Sequence, residues 1–332
     1  MAAALRGLPL FAALAIVAAD GRAAGPVDAP FLWRNAAPTA AVLGLPRPRA
    51  ASLPEAGETA LDLLVEVASH FTSDTRGSEF AYLDAETLTT SLLLERGFGD
   101  GWAVALEIPV LRHSTGFLDA PINSWHDVFG LPDAGRDRVA NGNVRMDWVA
   151  DGISRFSESD SLSGIGDLRL GVARRLHASP DRDITLRLDL ELPTGGDDGL
   201  LGSGGTDVAL GLGLSDRRLL ASVGGTLHLH AGLLRSGDAP VYGDELASAA
   251  AFGTLAVSLP LGASWTLRGQ LDAHSQLVDS ALYQVGGWSV QGGLGLGWQP
   301  GDAWRLEAAF FEDLRPGSAP DVAFQFALRS RF

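Results

Sequence analysis

From residue 60 onward, apolar side chains recur at every second position, the period that sends alternate residues to opposite faces of a β-strand. In 184–193, ITLRLDLELP, Ile184, Leu186, Leu188, Leu190 and Leu192 share one face and Thr185, Arg187, Asp189 and Glu191 the other. The pattern recurs near 60–71, 86–96, 102–112, 164–176, 183–193, 205–215, 220–234, 250–260, 265–274, 287–299, 303–312 and 322–332. Most of these segments span about ten residues, the length a tilted strand needs to cross a bilayer. The connections alternate in length: GFGDG, HASPD, SDRR, LGAS and PGD are short, and FTSDTRGSEFAYLDA, the stretch 113–163, TGGDDGLLGSG, SGDAPVYGDELASAA, SQLVDSALYQVG and DLRPGSAP are longer. A soluble sandwich has no reason to keep that parity. The expected fold is all-β: a transmembrane antiparallel β-barrel of about 12 strands, up-and-down, with short periplasmic turns and long extracellular loops.

Composition agrees. With 46% hydrophobic residues the chain is no disordered polymer, and without cysteine it is no disulfide scaffold. Its 25 basic residues, all arginine, face 40 acidic ones, the wrong balance for a nucleic-acid partner. Residues 1–24 read as a cleaved signal peptide, because the apolar run LPLFAALAIVAA is too short to span a bilayer as a helix. Residues 25–59 have no strand period and are punctuated by Pro26, Pro30, Pro38, Pro46, Pro48 and Pro54. This non-strand segment is expected to fold into the lumen as a plug. Residues 60–332 form the barrel, and its long loop 113–163 is expected to fold inward.

Trp102, Trp265, Trp298 and Trp304 fall at strand ends beside short turns, as an aromatic girdle at one rim requires, with Phe71 and Trp288 assigned to the opposite girdle. The final strand carries Phe324, Phe326, Leu328 and the terminal Phe332 on one face and is similar to the assembly signal that outer-membrane machinery reads. The expected partners are outer-membrane lipid, lipopolysaccharide, the barrel-assembly machinery and a small solute.

The pleat phase assigns to the lumen Asp62, Glu66, Glu107, Asp189, Glu191, Asp272 and Glu307 against Arg169, Arg187, Arg268 and Arg329, together with Arg96, Arg175, Arg305, Arg331, Asp167 and Asp207. Near-balance of sign favours salt bridges across a narrow lumen over a one-sided selectivity ring. His228 and His230 point inward together, with His274 a remote third ligand, but a metal is not expected and no cofactor motif is present. His113-Ser114 and His274-Ser275 are the nearest hydrolase-like pairs; adjacent strand residues face opposite sides, so no catalytic residues are assigned. Asp197 and Asp198 lack the spaced oxygens of an EF-hand.

Two blocks outside the strands carry a family resemblance. The first is PFLWRNAAPTAAVLGLP, with Arg34, Asn35, Pro38, Gly44 and Pro46; the second is INSWHDVFGLPDAGRDR, with Trp125, His126, Asp127, Phe129 and Gly130. Together they resemble the Gram-negative outer-membrane family filed as domain of unknown function 3187, although Ala37 stands where that family has a second Asn. The resemblance implies an outer-membrane location and supplies no activity. The functional expectation is a narrow or plugged channel for passive passage of small or hydrophobic solutes. The alternatives are a structural or ligand-binding barrel without transport and, third, a lipid hydrolase.

Overall fold

The structure, a computed structural model, describes residues 28–118, 142–196, 200–315 and 317–332. Its antiparallel strands are β1 (Thr59–Arg76), β2 (Glu79–Phe98), β3 (Trp102–Ser114), β4 (Arg145–Ala150), β5 (Ile153–Glu158), β6 (Leu162–Ile165), β7 (Leu168–Ala178), β8 (Arg182–Leu192), β9 (Asp207–Asp216), β10 (Thr226–Arg235), β11 (Ala249–Leu261), β12 (Trp265–His274), β13 (Ser289–Trp298), β14 (Trp304–Asp313) and β15 (Val322–Arg331).

Each strand from β7 to β15 pairs with its neighbour in sequence, and β15 closes on β1 from Ala60↔Arg331 to Ser69↔Val322. β6 and β7 form one stave in two pieces: β3 pairs with β7 over Trp102–Glu107 and with β6 over Val110–His113. The break falls at Pro109, which has no N–H to give the ladder; its carbonyl instead accepts from Gly166 N at 2.9 Å. The result is the expected closed barrel of 12 staves. Closure leaves no edge and satisfies the backbone within the wall, which is what a bilayer demands.

The alternation in β8 has a direct structural counterpart. Leu188 is 47% exposed on the outer face, while Thr185, Arg187 and Glu191 are buried inside. The short turns lie at one rim, where the barrel's ends also meet: Thr59 N donates to Phe332 O at 2.7 Å and Phe332 N to Thr59 O at 3.0 Å. Trp102, Trp265 and Trp298 are exposed on the outer face at this rim and Trp304 joins them, with ring centroids 6.0 Å apart for Trp265–Trp298 and 5.6 Å for Trp298–Trp304.

Several expectations are corrected. FTSDTRGSEFAYLDA is no loop, because β1 and β2 run through it to a tight turn at Gly77, whose φ of +63° a glycine adopts readily. Residues 220–225 form a turn rather than a strand start. Phe71 does not belong to an outer girdle; it is buried edge-on against Tyr82, with centroids 6.1 Å apart. Arg96 lies opposite Thr59, is exposed, and donates to the Thr59 hydroxyl at 2.8 Å; its neighbour Glu95 takes the inward position. Of the described part of 113–163, His113, Met146 and Trp148 are buried, and Met146 and Trp148 join the apolar cluster that holds Val42, Leu43 and Leu45. β4 and β5 extend the wall above β2, Glu86 accepts the backbone N–H groups of Phe117 and Leu118, and Leu118 packs against Val67 and Val322 on the outer face.

Candidate functional site

The lumen contains the N-terminal segment as a two-limbed hairpin. Its first limb starts near the turn rim, where Arg268 donates to Asp28 at 3.2 Å and stacks over Phe31 at 4.7 Å. Gln270 then treats Phe31 as a strand neighbour would, accepting from its N–H at 2.8 Å and donating to its carbonyl at 3.2 Å. Trp33 stacks on Phe311 with centroids 4.2 Å apart and donates through Nε1 to Gln291 at 3.0 Å. Gly293 makes this possible, since a Cβ there would lie 2.2 Å from the Phe311 ring. At the loop rim Asn35 accepts from Ala37 N, donates to the Ser318 carbonyl and bonds to His274 Nε2 at 2.8 Å.

The chain reverses through the short helix α1 (Pro38–Ala41), with Pro38 in its first turn, where a missing N–H costs nothing. Tyr242 donates its hydroxyl to Thr39 O at 2.6 Å, and α1 with Val42, Leu43 and Leu45 packs under an apolar vault that includes Leu83, Met146, Trp148, Leu234 and Leu282. On the second limb Gly44 N donates to Asp207 at 2.7 Å. A Cβ on Gly44 would lie 2.4 Å from that of Asp207, so Gly44→Ala is expected to destabilise the barrel by about 1–3 kcal/mol through overpacking. A lower unfolding temperature of the fast-migrating folded band on gels would record it. Toward the turn rim Ala51 N donates to Ser215 Oγ at 3.1 Å, Thr185 donates to Ala51 O, and Arg175 donates to Leu53 O at 3.3 Å. A proline-rich segment without a ladder thus has its backbone groups met by wall side chains, as burial requires.

Arg47 is the electrostatic centre. Its guanidinium donates to both oxygens of Glu66, at 2.7 and 2.6 Å, to Glu107 at 3.0 Å, and to Leu32 O, which ties the two limbs together. Burial disfavours its charge, but Glu66 and Glu107 outweigh that and raise its pKa above the ordinary arginine value. Arg34 also pairs with Glu107, at 3.1 Å. Around this centre Arg169 pairs with Glu191, Arg187 with Glu95 at 2.6 Å, Arg268 with Glu307 at 3.0 Å and Arg329 with Asp62 at 2.9 Å. Asp272 accepts from Thr254 and Gln270, and Asp189 lies half-buried beside the second limb. Cross-strand pairs are therefore part of the filling, and the other part comes from the hairpin's own arginines.

His228 bonds to Ser215 Oγ at 2.9 Å, and His230 lies beside Phe252. With His274 held by Asn35, the three histidines do not converge; among the described residues no group of three His, Cys, Asp or Glu side chains could hold a metal. His113 bonds to Thr87 and to Leu200 O, and no serine among the described residues is hydrogen-bonded to it. Phe326 is exposed on the outer face of β15, with Phe324, Leu328 and Phe332 half-buried. The signal segment, Trp125, His126, Asp127, Phe129, Gly130, Asp197 and Asp198 lie outside the described residues.

Sequence reasoning missed Asp28, Arg47, Arg49, Glu95 and Phe311. The repeat Pro46-Arg47-Pro48-Arg49 was the available signal, since a segment entering a lumen rich in carboxylates must bring cations. Between hairpin and wall lie cavities of about 40 Å³, bordered by Arg49 and Arg329, and about 10 Å³, bordered by Arg47 and Asp189.

Comparison with known proteins adds the following. A family model described as "Protein of unknown function (DUF3187)" matches residues 9–332. No curated protein matches. Among solved structures, an outer membrane channel from Pseudomonas putida F1, described as COG4313, is similar at a TM-score of 0.56 and 13% identity, over 85% of this chain and 97% of that one. The NanC porin aligns at a TM-score of 0.46 and 9% identity, over 81% and 98%. The Ralstonia pickettii toluene transporter TbuX aligns at 0.41 and 12%, over 94% and 97%. The first of these supports the fold.

Proposed function

The chain belongs to the DUF3187 family, and we propose that it is an outer-membrane β-barrel channel whose lumen is plugged by its own residues 28–58, for passive passage of small or hydrophobic solutes. Export by the N-terminal signal, insertion by the barrel-assembly machinery and contact with lipopolysaccharide at the loop rim belong to the same reading.

The observation that carries it is the ionic, fully buried seat of Arg47 between Glu66 and Glu107. Filling a lumen for rigidity alone needs no charge, because apolar residues of similar volume serve as well or better. A wall lined by carboxylates, arginines and glutamines behaves differently: it bonds to the hairpin when closed and to water when the hairpin leaves. The wall is thus compatible with two states, which a gate requires.

Planar-bilayer recording tests this. The full chain is expected to be nearly silent, and a variant lacking residues 28–53 to give discrete conductance steps. A deletion variant that is folded by gel mobility yet stays silent would leave the second reading, a barrel that is structural or binds ligand at its surface.

A further inference from the structure

We infer that the cavity of about 40 Å³ at the turn-rim end of the lumen, between the two limbs of the hairpin and strands β1, β2 and β15, is a binding site for the carboxylate group of a small organic acid. Its polar lining includes Arg49, Ser52, Asp62, Glu95, Arg329 and Arg331. Three guanidinium groups and two carboxylates share this lining, and Glu307 and Glu58 each stand 3.6 Å from Arg329 and Arg331 respectively.

The two carboxylates are already engaged. Asp62 takes Arg329 at 2.9 Å, and Glu95 takes Arg187, from outside the cavity, at 2.6 Å. Among the described residues Arg49 and Arg331 have distant ion partners, Glu95 at 3.7 Å and Glu58 at 3.6 Å. Arg331 Nε and Ser52 Oγ are buried without a hydrogen-bond partner. Buried donors of this kind are normally satisfied, and both belong to residues that line the cavity. A planar carboxylate accepts from a guanidinium fork side by side. Leu32 and Ala29 form the apolar part of the lining, against which a short hydrocarbon body would rest. This deepens the channel reading by naming a solute class, and it rests on that reading only for the idea that the acid passes through.

The test uses the full chain in zwitterionic detergent and carboxyl-labelled ¹³C acetate as probe, with line broadening read by NMR and acetamide and phosphate as competitors. Acetate is expected to broaden and to be displaced by neither competitor. Arg331→Gln and Arg49→Gln are each expected to weaken binding about tenfold or more, the scale of a lost charge-assisted hydrogen bond. Ser52→Ala, which removes only a hydroxyl and keeps the fold testable if an arginine variant does not assemble, is expected to weaken it several-fold. An unbroadened acetate signal, binding unchanged in all three variants, or displacement by phosphate or acetamide would overturn the assignment; the first would mean that ordered water fills the cavity. Because the titration is an equilibrium measurement that needs no conduction, a silent bilayer leaves it standing. A failed titration likewise leaves the channel reading standing.

Discussion

Replacing Arg47 with methionine is expected to destabilise the folded barrel by about 3–5 kcal/mol, the scale for removing one partner from a buried ion pair. The loss exceeds that of a surface salt bridge because Arg47 is buried and serves Glu66, Glu107 and Leu32 O together. Methionine keeps the length and apolar stem but leaves two carboxylates facing each other without their main cation. Arg34 still reaches Glu107 and Gln325 still reaches Glu66, so the wall remains assembled while the second limb loses its anchor. Bilayer recordings of this variant should therefore show intermittent openings, and its unfolding temperature on gels should fall. An unchanged melting temperature with continued silence would mean that Arg47 is not the anchor.

Trp33→Ala is expected to cost about as much, roughly 3–5 kcal/mol, the usual range for deleting a buried Trp or Phe. Trp33 is buried at 0% exposure, stacked on Phe311 and hydrogen-bonded to Gln291, so truncation loses the stack and leaves an amide oxygen unmet. Here the first limb is released while the second keeps its ion pairs. The two substitutions thus load opposite limbs of one hairpin, and a rigid filler would respond to both in the same way. Guanidinium titration of the detergent-solubilised barrel, followed by tryptophan fluorescence, measures both.

How much of this was legible in the sequence depends on what each residue faces. Leu186, Leu188 and Leu190 alternate with Arg187 and Asp189 because one side of β8 meets lipid and the other the lumen, and that contrast writes the period directly. Beyond the bilayer the contrast vanishes, which is why β1 and β2 continue invisibly through Thr72–Arg76 and Glu79–Tyr82. The inward charges could be assigned from the pleat, whereas their partners could not. Arg34 and Arg47 lie in a segment with no period, and its path is set by contacts such as Phe31 with Gln270, 239 residues away. The motif residues Asn35, Pro38 and Gly44 were noticed through resemblance, and the structure supplies a physical role for each: a clasp on the loop-rim backbone, a helix start and a close approach to Asp207.

A single cross-link can show whether residues 28–58 lie inside the barrel. The chain has no cysteine, so an Ala51→Cys, Gly213→Cys variant carries only the introduced pair. A Cβ at position 213, on the inner face of β9, would lie 3.8 Å from that of Ala51, the usual separation across a disulfide. Mild oxidation of the folded variant is expected to consume both thiols and to hold the conductance at zero. Two thiols that stay free and react with a maleimide from the aqueous side would mean that the segment does not lie in the lumen.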